Sequence, residues 1–324
     1  MEKFRWAYIG CGIIAHGTAK AILPSGRHEI VAVWNRTRSK ADAFSRLHGG
    51  KVYDTAESAI ADKDVQGVYI ALTADKHAEY MKLCVKHYKP VLCEKPFTVS
   101  AREAREVFDL AAQEKVYVAE AMWTWFNQTA LKVKQWIDTG RIGEVRSVQV
   151  NYAMPVIKFY RSDRLTDPAR AGGAILDVGV YPIRYCLGLF GMPKRITCQG
   201  KLENGIDLSE RVMLDYGSYS CEIIISLEEF KGEKVIIKGS KGSIRVPWFH
   251  IARKARLCQG LKREVFIDKG RSINDLYLSQ FDTVAAEITA GKLESTMVSA
   301  RSTIDTMEII DECRKQMGLV YPFE

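Results

Sequence analysis

Asp177 and Tyr181 stand four residues apart in the run Gly172-Gly173-Ala174-Ile175-Leu176-Asp177-Val178-Gly179-Val180-Tyr181-Pro182. In a helix that spacing puts both side chains on one face. A carboxylate there can accept hydrogen bonds from hydroxyl groups, and a phenol can exchange a proton with a neighbouring oxygen. A tyrosine with its ordinary pKa near ~10 is a poor base at neutral pH, but a nearby ammonium favours the phenolate. Lys95 can supply that ammonium. It sits in Cys93-Glu94-Lys95-Pro96, directly after an apolar strand-like run, at the carboxyl end where doubly wound sheets bind ligands.

A second constellation says what the first would work with. Gly10-Cys11-Gly12-Ile13-Ile14-Ala15 lies between a strand-like and a helix-like segment. The first glycine permits the tight turn, the second lets backbone approach a pyrophosphate, and the small third residue allows close helix–strand packing. The free N–H groups at the helix start, around Ile13 and Ile14, add a partial positive charge for the diphosphate. The end of the second strand selects the cofactor. A site for NAD carries an acidic residue there, whereas this chain has Asn35-Arg36-Thr37-Arg38-Ser39. Arg36 and Arg38 suit a 2′-phosphate and Asn35 can hydrogen-bond beside them, so NADP is expected ahead of NAD. Together the two constellations predict hydride transfer to or from C4 of a nicotinamide, with Tyr181 exchanging the proton. Lys95 polarises the same substrate oxygen and orients the cofactor, and Asp177 accepts hydrogen bonds from substrate hydroxyls.

The elements that must hold these residues follow from periodicity. Strands are expected over 4–9, 29–34, 67–72, 90–93 and 116–119, with helices between them over 13–23, 39–47, 55–61, 75–87 and 101–114. Strands separated by helices of that length call for a parallel, doubly wound sheet. After residue 122 the texture changes. β-branched strands are expected over 145–152, 195–202, 211–215, 218–227, 233–239, 242–246 and 264–267. One helix interrupts them over 174–187, and helices close the chain over 274–290 and 297–317. The expected class is therefore α/β, an N-terminal Rossmann domain over 1–122 followed by an α+β domain over 123–324 with a large, mostly antiparallel, open-faced sheet.

Four separated motifs occur in order: the glycine turn, Glu94-Lys95-Pro96, Ile142-Gly143-Glu144-Val145, and the Gly172 to Pro182 run. Together they resemble the Gfo/Idh/MocA oxidoreductases over essentially the whole chain. Glu120-Ala121-Met122-Trp123-Thr124 and Arg164-Leu165-Thr166-Asp167-Pro168 are similar to segments of the branch holding the dimeric dihydrodiol and NADP-dependent D-xylose dehydrogenases. Inositol-dehydrogenase-like members carry His where this chain has Tyr181, and Trp125 stands where the branch tends to carry Arg. The resemblance implies a sugar, polyol or cyclic diol as substrate and a homodimer formed through the C-terminal sheet. It also implies cofactor contacts at Thr73, His77, Glu94 and Lys95. Trp123, Trp125 and Phe126 are candidates for a substrate-pocket wall.

Composition narrows the alternatives. Of 324 residues 47% are hydrophobic and 27% charged, the make-up of an ordinary globular protein. No apolar run approaches the ~20 residues that span a bilayer, and the N-terminus shows no signal-peptide architecture, so a cytoplasmic protein without membrane association is expected. The eight cysteines show neither metal-ligand spacing nor a disulfide framework, and no metal is expected. The net charge of +8 originates in residues 231–271, where twelve basic residues face three acidic ones. No nucleic-acid reader accompanies that segment, and lysines alternating with apolar positions fit an exposed, protected sheet margin. Two competing activities are a glycosidase-type hydrolase with transient NAD redox and a non-catalytic dinucleotide sensor. The intact set of Lys95, Asp177 and Tyr181 argues against the sensor.

Overall fold

The computed structural model describes residues 2–159, 164–268 and 272–324. It divides into two compact units, Met1–Thr98 with Arg102–Trp123 and Ser272–Thr303, and Val99–Ala101 with Thr124–Arg271 and Ile304–Glu324.

The first unit contains β1 (Phe4–Ile9), α1 (Ile13–Ile22), β2 (His28–Trp34), α2 (Arg38–His48), β3 (Lys51–Val52), α3 (Ala56–Ile60), β4 (Gly67–Ile70), α4 (Ala74–Lys86), β5 (Val91–Glu94), α5 (Ala101–Glu114) and β6 (Val118–Ala121). Its six strands are all parallel in the order β3-β2-β1-β4-β5-β6. The order reverses between β1 and β4, which opens the crevice where such sheets bind ligands. Strands β4, β5 and β6 are buried at every position, as expected of strands covered on both faces.

The second unit contains α6 (Gln128–Asp138), β7 (Val145–Ala153), α7 (Val156–Phe159), α8 (Val180–Phe190), β8 (Arg195–Glu203), β9 (Ile206–Asp215), β10 (Ser220–Ser226), β11 (Gly232–Gly239), β12 (Ser243–Pro247), β13 (Lys254–Gln259) and β14 (Lys262–Ile267). Its eight strands run β14-β13-β12-β11-β7-β10-β9-β8, antiparallel except for β7 against β10. Val148, Val150, Val212, Leu214, Ile223, Ile225, Val235 and Ile237 are buried on one face, which also receives α8. Arg211, Arg245 and Arg256 are exposed between buried neighbours, the period-two alternation of a one-sided sheet. The helical stretch Pro168–Phe190 is apolar enough to cross a membrane, yet 83% of its most apolar window is buried inside the protein.

Two helices close the chain, α9 (Ile273–Thr289) and α10 (Ala300–Met317). The sequence boundary at 122/123 assigns both to the second domain, whereas Ser272–Thr303 belongs to the first compact unit. Side chains on α9 explain the difference. Phe281 is fully buried, edge-on to Trp6 and to Tyr69 at 5.0 Å from each. Burial of such a ring contributes about 1.5–3 kcal/mol. Asp282 pairs with Arg27 at 2.7 Å and with His28 at 3.0 Å, and the Tyr117 hydroxyl donates to Glu287 at 2.7 Å. Strand β13 was also not anticipated. Its exposed Lys254 and Arg256 alternate with buried Ala255 and Leu257, and the surrounding run of basic residues hides that pattern. Lys269 and Arg271 of the basic segment lie outside the described residues.

Candidate active site

In the first unit the glycine turn follows β1 at the point where strand order reverses. Gly10 has φ +102°, and a Cβ there would meet the Ala71 carbonyl oxygen at 2.4 Å, so no other residue fits. Gly12 has open space where a Cβ would stand. It occupies the N-cap of α1 without a side-chain cap, which leaves N–H groups of the first turn directed outward for an anion. Ile13 and Ile14 beside it are 75% and 43% exposed. Exposed apolar side chains around an uncapped, glycine-lined helix start fit a dinucleotide that covers them.

Asn35 serves the turn: its Oδ1 accepts from Cys11 N–H at 3.1 Å and its Nδ2 donates to the Thr37 carbonyl at 3.0 Å. Arg38 pairs with Asp42 at 3.0 Å and with Asp54, so the expected phosphate contact must compete with two carboxylates. Arg36 is exposed and makes no ion pair with any described residue. It lies near Tyr80, whose ring is 5.5 Å from that of Trp34. Arg36 is therefore the cation at this strand end that is open to a ligand.

Thr73 is the N-cap of α4, with no side-chain cap bond, and its backbone borders the crevice after β4. His77 is buried, with Nδ1 2.9 Å from the Pro96 carbonyl and Nε2 3.2 Å from that of Leu72. Burial holds its pKa below the ordinary histidine value. It braces the loops after β4 and β5 and does not form an open lining. Glu94 is likewise buried and accepts from the Tyr69 hydroxyl at 2.6 Å; burial raises its pKa. Lys95 follows it at the end of β5, half-buried.

In the second unit Asp177 lies in a π-helical turn, Ile175–Gly179, that leads directly into α8 and Tyr181. Insertions of this kind recur at functional sites. Asp207 anchors the turn, its Oδ2 accepting from Ile175 N–H at 2.5 Å. Gly173, at φ +118°, would place a Cβ 2.0 Å from Asp207 Oδ1. The Tyr321 hydroxyl donates to the Gly172 carbonyl at 2.9 Å. Asp177 itself pairs with Arg164 at 2.7 Å.

Tyr181 is buried among aromatic rings, 5.9 Å from the centre of Tyr152 and 5.3 Å from that of His250. His250 is fixed by Glu233, and its carbonyl accepts from Thr124 at 3.3 Å. Asn127 and Thr129 hold the same loop at the Ala252 carbonyl, at 2.7 and 3.0 Å.

The three aromatic residues proposed as a wall have separate settings. Trp123 stacks on Tyr277 at 4.7 Å within the first unit. Trp125, in the second, donates from Nε1 to the Arg184 carbonyl at 3.3 Å and covers Gly188, where a Cβ would lie 1.9 Å from its ring. Trp125 is packed in the core of the second unit. Phe126 is buried.

Comparison with known proteins bears on the family and the fold. Residues 4–122 match the model of an oxidoreductase family with an NAD-binding Rossmann fold, and residues 130–245 match the GFO/IDH/MocA C-terminal domain. The chain belongs to the Gfo/Idh/MocA family of oxidoreductases. Its relatives include trans-1,2-dihydrobenzene-1,2-diol dehydrogenases: the mouse protein is 29% identical over 98% of both chains, and that of Bos taurus 32% identical over 74% of this chain and 72% of its own. These matches put the chain in the dihydrodiol dehydrogenase branch. The fold also matches KijD10, a 3-ketoreductase from Actinomadura kijaniata solved with NADP and TDP-benzene, at TM-score 0.87, 21% identity and 98% coverage of each chain. An oxidoreductase from Agrobacterium radiobacter solved with NAD+, L-tartaric acid and magnesium matches at TM-score 0.82, 17% identity, over 98% of this chain and 97% of its own. The chain is thus an NAD(P)-dependent oxidoreductase of this family.

Within that family fold, Tyr152, Glu233, His250 and Asp207 are the residues that motif reading missed. None lies in a recognisable motif. Glu233 and His250 fall in the basic segment, and their one sequence signal is an acid and an imidazole among strands otherwise built of lysine, arginine and valine-like residues.

Proposed function

We propose that this protein is an NADP-dependent oxidoreductase that transfers hydride between nicotinamide and a carbon–oxygen centre of a sugar, polyol or cyclic diol. The observation that carries the reading is the setting of Tyr181: a phenol four residues after Asp177, two residues beyond an anchored π-helical segment, walled by Tyr152 and His250. The cofactor, when bound, supplies or accepts the hydride. Tyr181 exchanges the accompanying proton with the substrate oxygen, Lys95 polarises that oxygen and orients the cofactor, and Asp177 receives a substrate hydroxyl. Gly10, Gly12, Ile13, Ile14 and Thr73 hold the dinucleotide, with Arg36 on the 2′-phosphate. The missing carboxylate at the end of β2 supports NADP over NAD, as does the NADP in the KijD10 structure. The relatives' name supports a diol as one substrate class.

The uncovered sheet face, where Met213, Ile224 and Ile236 lie between charged residues, is the surface for a homodimer. The cytoplasm is the compartment that suits a chain with free cysteines. The test is reduction of NADP+ over a panel of aldoses, polyols and dihydrodiols, run beside NAD+. Tyr181→Phe is expected to lower kcat by roughly 10²–10⁴-fold with NADPH affinity, read by fluorescence titration, unchanged. Near-wild-type turnover by Tyr181→Phe and by Lys95→Met would overturn the assignment.

A further inference from the structure

His16, in the first turn of α1, and His48, the last residue of α2, meet ring to ring. Nδ1 of His16 lies 2.9 Å from Nε2 of His48, a good hydrogen-bond length. One nitrogen must donate and the other accept, so whichever ring donates, one proton is held between them. The pair survives one further proton, taken on an outer nitrogen. It does not survive two, because two N–H groups would then face each other. Both rings are half-buried and pack on Phe44, at 4.9 and 4.7 Å. Burial and then Lys20 hold the His16 pKa below the ordinary value of 6.5; burial, then His16 and Lys20, do the same for His48. Among the described residues no carboxylate acts on either ring. From α9, which packs on α1, Tyr277 comes close to Gly17, and burial raises the pKa of that phenol so that it stays neutral.

The pair joins two helices beside the glycine turn. His16 N–H donates to the Gly12 carbonyl at 3.1 Å and so closes the first turn of α1. Helix α2 begins at Arg38, directly after Asn35, Arg36 and Thr37, and buries only Ala41 and Phe44. It is tied to the glycine turn at its start, where Asn35 Oδ1 accepts from Cys11 N–H at 3.1 Å, and to α1 at its end by His48. A helix with so little buried surface depends on such end contacts. We propose that His16 and His48 are positioning residues for the dinucleotide, a proton-sharing clasp that holds the Arg36 loop against the glycine turn and releases the cofactor in acid. This rests on the reading that the glycine turn and Arg36 hold the dinucleotide. Opening the clasp lowers NADP+ affinity about fivefold, and by reciprocity bound NADP+ lowers the pH of opening by about 0.7 unit. Because both rings resist protonation, the loss develops below pH 6.5.

Calorimetric titration with NADP+ at about pH 7.5 and about pH 5.5 tests this on the wild type, His48→Gln and His48→Ala. A glutamine amide donates to a neutral ring and, turned over, accepts from a protonated one. His48→Gln therefore keeps the clasp at both pH values, and His48→Ala at neither. The 2′-phosphate itself gains a proton near ~6, so the proteins are compared with one another at each pH. At the higher pH the wild type and the Gln variant are expected to bind alike, and the Ala variant about fivefold more weakly. At the lower pH the wild type should fall to the level of the Ala variant. A wild type that stays level with the Gln variant in acid, or binds more tightly than it, as a cationic histidine attracting the diphosphate would, overturns the proposal. In long-range ¹H–¹⁵N spectra the two rings are expected to titrate as a coupled pair, with steps that move to lower pH when NADP+ binds. Independent titrations, or steps that ignore NADP+, would refute the clasp without any turnover being needed. Unchanged NADP+ affinity in Arg36→Ala would instead remove the cradle reading, and the coupled titration of the free protein does not depend on that result.

Discussion

The two units present their candidate functional residues by opposite means. In the first, the ligand surface is largely backbone: a glycine that must be glycine, an uncapped helix start, and neighbouring residues in one stretch of chain. In the second, the polar cluster is made of side chains from β7, the π-helical turn, α8, β11 and the loop after β12, spread over about a hundred residues of sequence. A backbone cradle tolerates side-chain drift around it but not a change of φ. A side-chain cluster depends on every supporting contact behind it, and so its weak points lie away from the reacting atoms.

That contrast can be broken most strongly at Gly173. A Cβ there collides with Asp207 Oδ1, so Gly173→Ala is expected to displace the turn carrying Asp177 and lower kcat/KM by roughly a hundredfold, with NADPH affinity untouched. Equal losses in affinity and turnover would show that the two halves are not separable. A middle-sized effect is expected in the first unit. Arg36→Ala should cut the preference for NADP+ over NAD+ by roughly ten- to a hundredfold, while Arg38→Ala, already shared between Asp42 and Asp54, should change it by no more than about twofold. The reverse ranking would move the phosphate contact to α2.

The smallest effect concerns stability alone. Burial, and then the neighbouring Asp207, hold the Glu210 carboxyl well above its ordinary value of 4.5, and neither of its oxygens has a hydrogen-bond partner among the described residues. The folded chain therefore keeps a proton there that the unfolded chain loses above that value. The associated stability is complete below pH 4.5 and declines as pH rises toward the folded pKa. Glu210→Gln should melt a few degrees higher than wild type at pH 8, with the gap closing toward pH 5; a gap independent of pH would exclude the titration.

How far the site could be read from sequence follows the same division. Gly10, Gly12 and the absence of a carboxylate near Asn35 are local, and local signals survive in sequence. Asp177 and Tyr181 are visible because helical spacing joins them. Tyr152, Glu233 and His250 are joined only by the pairing of β11 with β7 and by a loop turned through Trp248, and one sequence carries no mark of strand partners a hundred positions apart. Trp125 misled for a related reason: a tryptophan in a motif-rich stretch looks like a wall, but Gly188 sixty residues later leaves it a slot in the core. The fold class was readable because strand–helix alternation is periodic. The allegiance of α9 was not, since the burial of Phe281 against Trp6 and Tyr69 leaves an amphipathic helix that fits either unit.

The way α9 completes the first sheet also has a consequence in time. During synthesis the last strand of that sheet is finished near residue 121, yet Phe281 and Asp282 arrive only after about 160 further residues, a delay of roughly 8–32 s at ordinary elongation rates. Until then Trp6 and Tyr69 lack one of their packing partners and Arg27 lacks its carboxylate. The first unit is thus stitched together from segments made far apart in time, and its core is complete only once α9 has been made.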